Sequence, residues 1–249
     1  MKVVFFGKKD DSSHAAFAEI AARHEIVGIV ESSETTFPNW KACLLQMLGR
    51  FSLQGYALIR RIPYFNYSPY MKSPELVSFL SALSFEVGCI GVFQRLIPES
   101  VFKIPKNGFI NIHPSLLPKY RGPLPDFWQF WNQDSDGGVT VHVVDKGEDT
   151  GAILAQVPIR IESGRNIYDY TKECMVKGAR EVCRILEEPQ PFQTRPQPDD
   201  SSFRARKLTD EDVLIDWSWP IERIYHVMPP ALSMTEVFRE PKFPWNLFS

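Results

Sequence analysis

Asn111 and His113 lie in the run Asn111-Ile112-His113-Pro114-Ser115-Leu116-Leu117-Pro118, and Asp149 lies in Asp145-Lys146-Gly147-Glu148-Asp149-Thr150-Gly151. On a strand, residues two apart share a face, so Asn111 and His113 point the same way. Asp149 comes 36 positions after His113 and must return through a loop. An amide, an imidazole and a carboxylate brought together can bind an oxyanion and move protons. Pro114 and Pro118 stiffen the chain after His113, Gly122 permits close backbone approach, and Asp149 is framed by Gly147 and Gly151 in a tight loop.

These groups need a scaffold, and its pattern begins at the N-terminus. Residues 3–6 are a short apolar run closed by Gly7, as in a strand buried on both faces; residues 12–23 have helical spacing, and residues 26–30 read as the next strand. Strand, helix, strand at this length is a βαβ unit, so the fold class is α/β with a doubly wound, mostly parallel sheet. In such sheets the ligand crevice lies beyond the carboxyl ends of the strands, which puts His113 and the loop after Val144 at a functional address. Further on, residues 40–48 suggest a helix, 59–64 a strand, 64–69 a loop and 74–83 a helix. Residues 85–93, 108–113, 138–144 and 152–161 read as strands, with helices at 124–131 and 166–187. Pro189, Pro191, Pro196 and Pro198 then form a stiff connector. The reading is a catalytic domain over residues 1–190 and a C-terminal extension over 191–249, packed on the core or on a second subunit of a homodimer.

The 249 residues carry a formal net charge of −2, which argues against a broad nucleic-acid surface. Cys43, Cys89, Cys174 and Cys183 show no CxxC pair and no histidine at zinc-ligand spacing, so they read as reduced thiols, and no metal is expected. No apolar stretch approaches the ~20 residues that span a bilayer, and the N-terminal apolar run is too short for a signal peptide. The expected location is the cytoplasm, with no membrane partner. Neither a GxGxxG nor a GxxxxGK[ST] loop is present, which excludes the usual dinucleotide and nucleoside triphosphate cradles.

The segment 108–154 resembles the folate-dependent formyltransferase family. The resemblance rests on Asn111 to Pro118, on Arg121-Gly122, on Gly138-Val139-Thr140-Val141-His142 and on Asp149-Thr150-Gly151. It implies a Rossmann-like core and transfer of a formyl group from 10-formyltetrahydrofolate to an amine. Asn111, His113 and Asp149 take the positions of the catalytic triad: Asn111 and a protonated His113 hold the oxyanion, while Asp149 raises the His113 pKa and relays protons. It further implies a pterin against residues 92–96 and the loop 145–149, with Phe93, Leu96, Asp145, Gly147 and Glu148 as folate contacts; Phe93 and Leu96 read equally as ordinary core at a strand end. His142 reads as a structural strand residue.

Arg95, Ser115, Lys119 and Arg121 are the substrate-side candidates. The cations suit phosphate, and Ser115 orients either its loop or a water. The aromatic block 127–131 reads as the apolar face of a helix or as a stacking surface. Lys207-Leu208-Thr209, Asp212 and Asp216-Trp217 resemble the methionyl-tRNA and amino-sugar branches of the family more than the purine branch. The room left for a C-terminal barrel is too small, so a nucleotide-linked amino sugar for a bacterial surface polysaccharide is the expected acceptor. Another amine, a formyl-folate hydrolase, and a silent folate or nucleotide-sugar binder are the alternatives. Phe243, Trp245, Leu247 and Phe248 in the tail are expected to dock.

Overall fold

The structure is a computed structural model, and it describes residues 1–32, 52–67, 73–93, 95–189, 191–198, 203–209, 212, 216–221 and 223–224. The helix expected over 40–48 and the docking of the aromatic tail both lie outside these residues. Seven strands form one sheet: β1 (Lys2–Lys8), β2 (Glu25–Ser32), β3 (Tyr64–Tyr67), β4 (Val87–Gly91), β5 (Phe109–His113), β6 (Asp136–Val143) and β7 (Ile153–Arg160). Their order is β3-β2-β1-β4-β5-β6-β7. Pairing is parallel from β3 through β5 and antiparallel for β5–β6 and β6–β7. The order reverses between β1 and β4, which makes the carboxyl ends of those strands the switch-point crevice of a doubly wound sheet.

Six described helices accompany the sheet: α1 (Asp11–Ala21), α2 (Leu53–Arg60), α3 (Ser73–Ser81), α4 (Glu99–Phe102), α5 (Pro125–Trp131) and α6 (Ile167–Glu187). The apolar interior splits across the sheet. Phe5, Ile29, Cys89, Ile110, Ile112 and Val141 join the buried positions of α1 and α6 on one face. Val4, Phe6, Val30, Ile90 and Phe109 join Leu76 and Leu80 of α3 on the other. At ~1.5–3 kcal/mol for each fully buried Val, Leu, Ile, Phe or Met, these two layers hold the sheet's shape. The described cysteines, Cys89, Cys174 and Cys183, are free and buried.

The strand expected over 59–64 is instead the end of a helix. Ser52 caps α2 by accepting from the Gly55 N–H at 2.9 Å, and Arg61 ends it in the left-handed region at φ 55°. Ile59, the apolar start of that expected strand, is 81 % exposed. Residues 64–67, expected in a loop, form the edge strand β3 against β2. The short helix α4 was not anticipated, since four residues leave too little periodicity to see. At the other end of the chain, α6 matches its apolar stripe closely, burying Ile167, Tyr170, Cys174, Ala179, Val182 and Leu186.

Tyr170 ties α6 to the sheet. Its hydroxyl accepts the Gly138 N–H at 2.8 Å and donates to Gln129 Oε1 of α5 at 3.1 Å. Tyr170→Phe therefore orphans a buried N–H and is expected to lower unfolding free energy by about 1–3 kcal/mol, measured by urea denaturation.

Candidate active site

Asn111 and His113 project from one face of β5, and His142 joins them because Asn111 and His142 are register partners on β6. Asp149 reaches this face by a different route from the one expected. Since β6 runs antiparallel to β5, its carboxyl end lies beside Ile110, near the amino end of β5, and not at the carboxyl-end crevice. The β6–β7 loop then folds back over the face. Gly151 makes this possible: a Cβ there would meet the Val143 carbonyl at 1.7 Å.

The carboxylate of Asp149 is held on every side. Oδ2 accepts the Gly122 N–H at 2.9 Å and stands 3.6 Å from His113 Nδ1; Oδ1 is 3.6 Å from His142 Nε2 and 3.4 Å from Asn111 Nδ2. Gly122 has φ +121°, and a Cβ on it would strike the Ala205 carbonyl at 2.4 Å, so glycine is required both for the turn and for the neighbouring strand of chain. Burial pushes the Asp149 carboxyl upward, but the two histidines and the Gly122 N–H outweigh it and hold the group below the usual carboxylate range. Asp149 is therefore ionised at neutral pH.

His113 is buried, and its Nε2 lies 2.9 Å from the Tyr120 carbonyl. A carbonyl only accepts, so Nε2 carries the hydrogen and Nδ1 is the atom that faces Asp149 and can exchange a proton. Burial lowers the His113 pKa below its ordinary value, and the charge of Asp149 works against that shift without reversing it. The expectation of a protonated His113 is corrected here: desolvation of a fully enclosed imidazole outweighs one carboxylate at 3.6 Å. At neutral pH His113 is a base. Tyr120, at φ 66°, is locked by its hydroxyl, which donates to Asp134 Oδ2 at 2.7 Å and accepts from Asn132 at 3.0 Å.

The other expected site residues divide into four groups. Arg121 and Glu148 meet the chain that follows the proline-rich connector: Arg121 donates from Nε and Nη2 to Gln197 Oε1 at 2.9 and 2.7 Å, and Glu148 pairs with Arg204. Asp145 staples its own loop, accepting from the Gly147 N–H at 3.0 Å and from Thr150 Oγ1 at 2.7 Å. Gly147 is exposed in that loop. Lys119 is bound to Asp134 at 2.7 Å, and Ser115 is fully buried with its hydroxyl donating to the Lys119 carbonyl at 2.8 Å, inside its own turn. Beyond β4, Val92 leaves the strand at φ 62°, an uncommon conformation for a β-branched residue. Phe93 packs edge-on against Phe6 and stacks on Tyr67, Arg95 lies over the Tyr67 ring at 5.5 Å, and Leu96 is 68 % exposed. The aromatic block of α5 is core: Phe127, Trp128 and Phe130 are buried.

Sequence reasoning missed two participants. His142, read as structural, touches both Asn111 and Asp149; its register opposite Asn111 was the available signal. Gln197 had none. It donates to the Asp149 and Gly151 carbonyls at 2.8 Å each while accepting from Arg121, so one amide clamps the Asp149 loop to the Arg121 turn. The strap continues with Tyr120 N–H to the Phe203 carbonyl and Ala205 N–H to the Arg121 carbonyl, both at 2.8 Å.

Two measurements follow from this geometry. His113 has a lowered folded pKa, so its protonation disfavours the fold and stability falls as pH drops below about 6.5. Asp149 has a lowered folded pKa too, so its stabilisation is present above about 3.9 and is lost on further acidification. Thermal melts across pH are expected to show both losses, with His113→Gln removing the upper one. Gln197→Ala is expected to speed amide hydrogen exchange in residues 145–151 selectively, leaving α6 protected.

Comparison with known proteins places this site in a family. A model of the formyl transferase family matches residues 50–183. The methionyl-tRNA formyltransferase of Chloroflexus aurantiacus is 33% identical over 235 residues, spanning 92% of this chain and 74% of that protein. An N-formyltransferase from Helicobacter canadensis, crystallised with folinic acid and dTDP-3-aminofucose, shares the fold with a TM-score of 0.68 at 18% identity, over 98% of this chain and 85% of that one. Glycinamide ribonucleotide transformylase 1 from Symbiobacterium toebii does so with a TM-score of 0.59 at 18% identity, over 79% of this chain and 94% of its own. With an ionised aspartate beside a buried base and a strand amide, and with these matches across most of its length, the chain belongs to the formyl transferase family.

Proposed function

We propose that the protein transfers the formyl group of 10-formyltetrahydrofolate to the primary amine of a nucleotide-linked amino sugar. The observation that carries the chemistry is the placement of His113 Nδ1 opposite the ionised Asp149 at 3.6 Å, with the Asn111 amide beside them. In this reading the acceptor amine attacks the formyl carbon and the carbonyl electrons move to oxygen. An N–H of Asn111 meets the oxyanion. His113 takes the amine proton on Nδ1, and Asp149 stabilises the imidazolium. When the bond from carbon to the folate nitrogen breaks, that proton goes to the departing nitrogen, so the enzyme returns to its starting state.

Residues 92–96 and the loop 145–149 are the folate side of this proposal. Arg121 is the phosphate contact on the acceptor side: its guanidinium is bonded to a neutral amide oxygen, which leaves its charge uncompensated by that partner. The catalytic domain is assigned to residues 1–190 and the extension to 191–249, with the strap around Gln197 as its working part. The amino-sugar acceptor is supported by the breadth of fold match to the Helicobacter canadensis enzyme, whose crystals hold such a compound, and by the net charge of −2, which does not favour a large RNA surface. The sequence relative from Chloroflexus aurantiacus favours a second reading, methionyl-tRNA as acceptor.

An assay of tetrahydrofolate release with each acceptor separates these. Turnover is expected with a nucleotide-linked amino sugar; turnover only with methionyl-tRNA selects the second reading, and turnover without any amine marks a hydrolase. His113→Ala and Asp149→Asn are expected to lower the rate by about a hundredfold or more with the fold intact; near-normal rates in both would sink the mechanism.

A further inference from the structure

We infer that His142 is a positioning residue, whose Nε2 lone pair fixes the direction of the Asn111 amide. The kinetic consequence rests on the formyl-transfer reading; the geometry does not. His142 Nδ1 lies 2.9 Å from the Val143 carbonyl, which can only accept, so Nδ1 carries the hydrogen and Nε2 keeps its lone pair. That lone pair faces Asn111 Nδ2 at 3.0 Å. One N–H of the amide is thereby anchored, and the nitrogen end is turned toward β6. The second N–H meets Asp149 Oδ1 at 3.4 Å, a long contact that can be given up to a developing oxyanion.

The two histidines beside Asp149 thus hold opposite tautomers, His113 with its hydrogen on Nε2 and His142 with its hydrogen on Nδ1. Among the described residues, the titratable groups facing His142 are Asp149 from the β6–β7 loop and His113 from β5, the latter with ring centroids 6.2 Å apart. The β7 side offers Ile153, and Gly151 lies close to Nδ1. The opposite tautomer would set an N–H against the N–H of Asn111, so the amide would have to turn its oxygen inward. A residue that merely filled space on β6 would not exert this control.

Nitrogen NMR on the full chain tests the inference without relying on turnover. At neutral pH, Nε2 of His142 is expected to be unprotonated and Nε2 of His113 protonated. The Asn111 side-chain amide, identified by its loss in Asn111→Asp, is expected to show a coupling across its hydrogen bond to His142 Nε2. A hydrogen on His142 Nε2, or an Asn111 amide with no coupling to that nitrogen, overturns the inference. In kinetics, His142→Gln retains an acceptor of similar reach and is expected to keep kcat within about threefold, while His142→Leu loses about tenfold or more with KM little changed. Equal losses in the two variants, or none in either, also overturn it. If the tautomers and the amide coupling hold but no amine is formylated, the inference stands and the functional reading fails.

Discussion

A carboxylate withdrawn from water must be surrounded by donors, and Asp149 imposes that requirement on this fold. Its oxygens accept from a main-chain N–H of one loop and from an amide of β5, and imidazoles of β5 and β6 stand 3.6 Å away. Each partner restricts the chain that carries it. Gly122 has to present its N–H from a left-handed turn, Tyr120 has to bring its carbonyl onto the far side of His113, and the β6–β7 loop has to fold back over the sheet. The charge is the common term in all three.

The same constraint explains the division between rigid and adjustable parts. Strands β1, β2 and β4 have apolar layers on both faces, and β5 and β6 are backed opposite the site by Ile110, Ile112, Val139 and Val141, so Asn111, His113 and His142 are delivered by backbone that cannot shift much. Asp149 comes from a loop outside those layers. Its placement depends on hydrogen bonds, and Gln197 provides two of them from a segment remote in the chain.

What could be read in advance follows physical periodicity and local chemistry. Residues 167–187 repeat their apolar positions over enough turns to be unmistakable, and β4 to β6 are bounded by glycine and proline signals. Asn111, His113 and Asp149 were visible because their types are rare together and framed by turn formers. The end of α2 misled because Ile59 is apolar yet exposed. The protonation of His113 was misjudged because charge proximity can be guessed from sequence, whereas complete desolvation belongs to the packed structure. Gln197 could not be anticipated, since nothing local distinguishes a surface glutamine from one that joins carbonyls 46 and 48 positions earlier.

The order in which the pieces are made gives the strap a consequence of its own. All three site residues and both glycines precede residue 152, but the segment holding the Asp149 loop follows residue 190. During synthesis the sheet and α6 can close while the site is still unassembled, because its clamp has yet to leave the ribosome. The family match ends at residue 183, short of the segment that fastens the Asp149 loop. A chain cut between the two would keep the signature and the sheet while leaving its carboxylate loop unfastened.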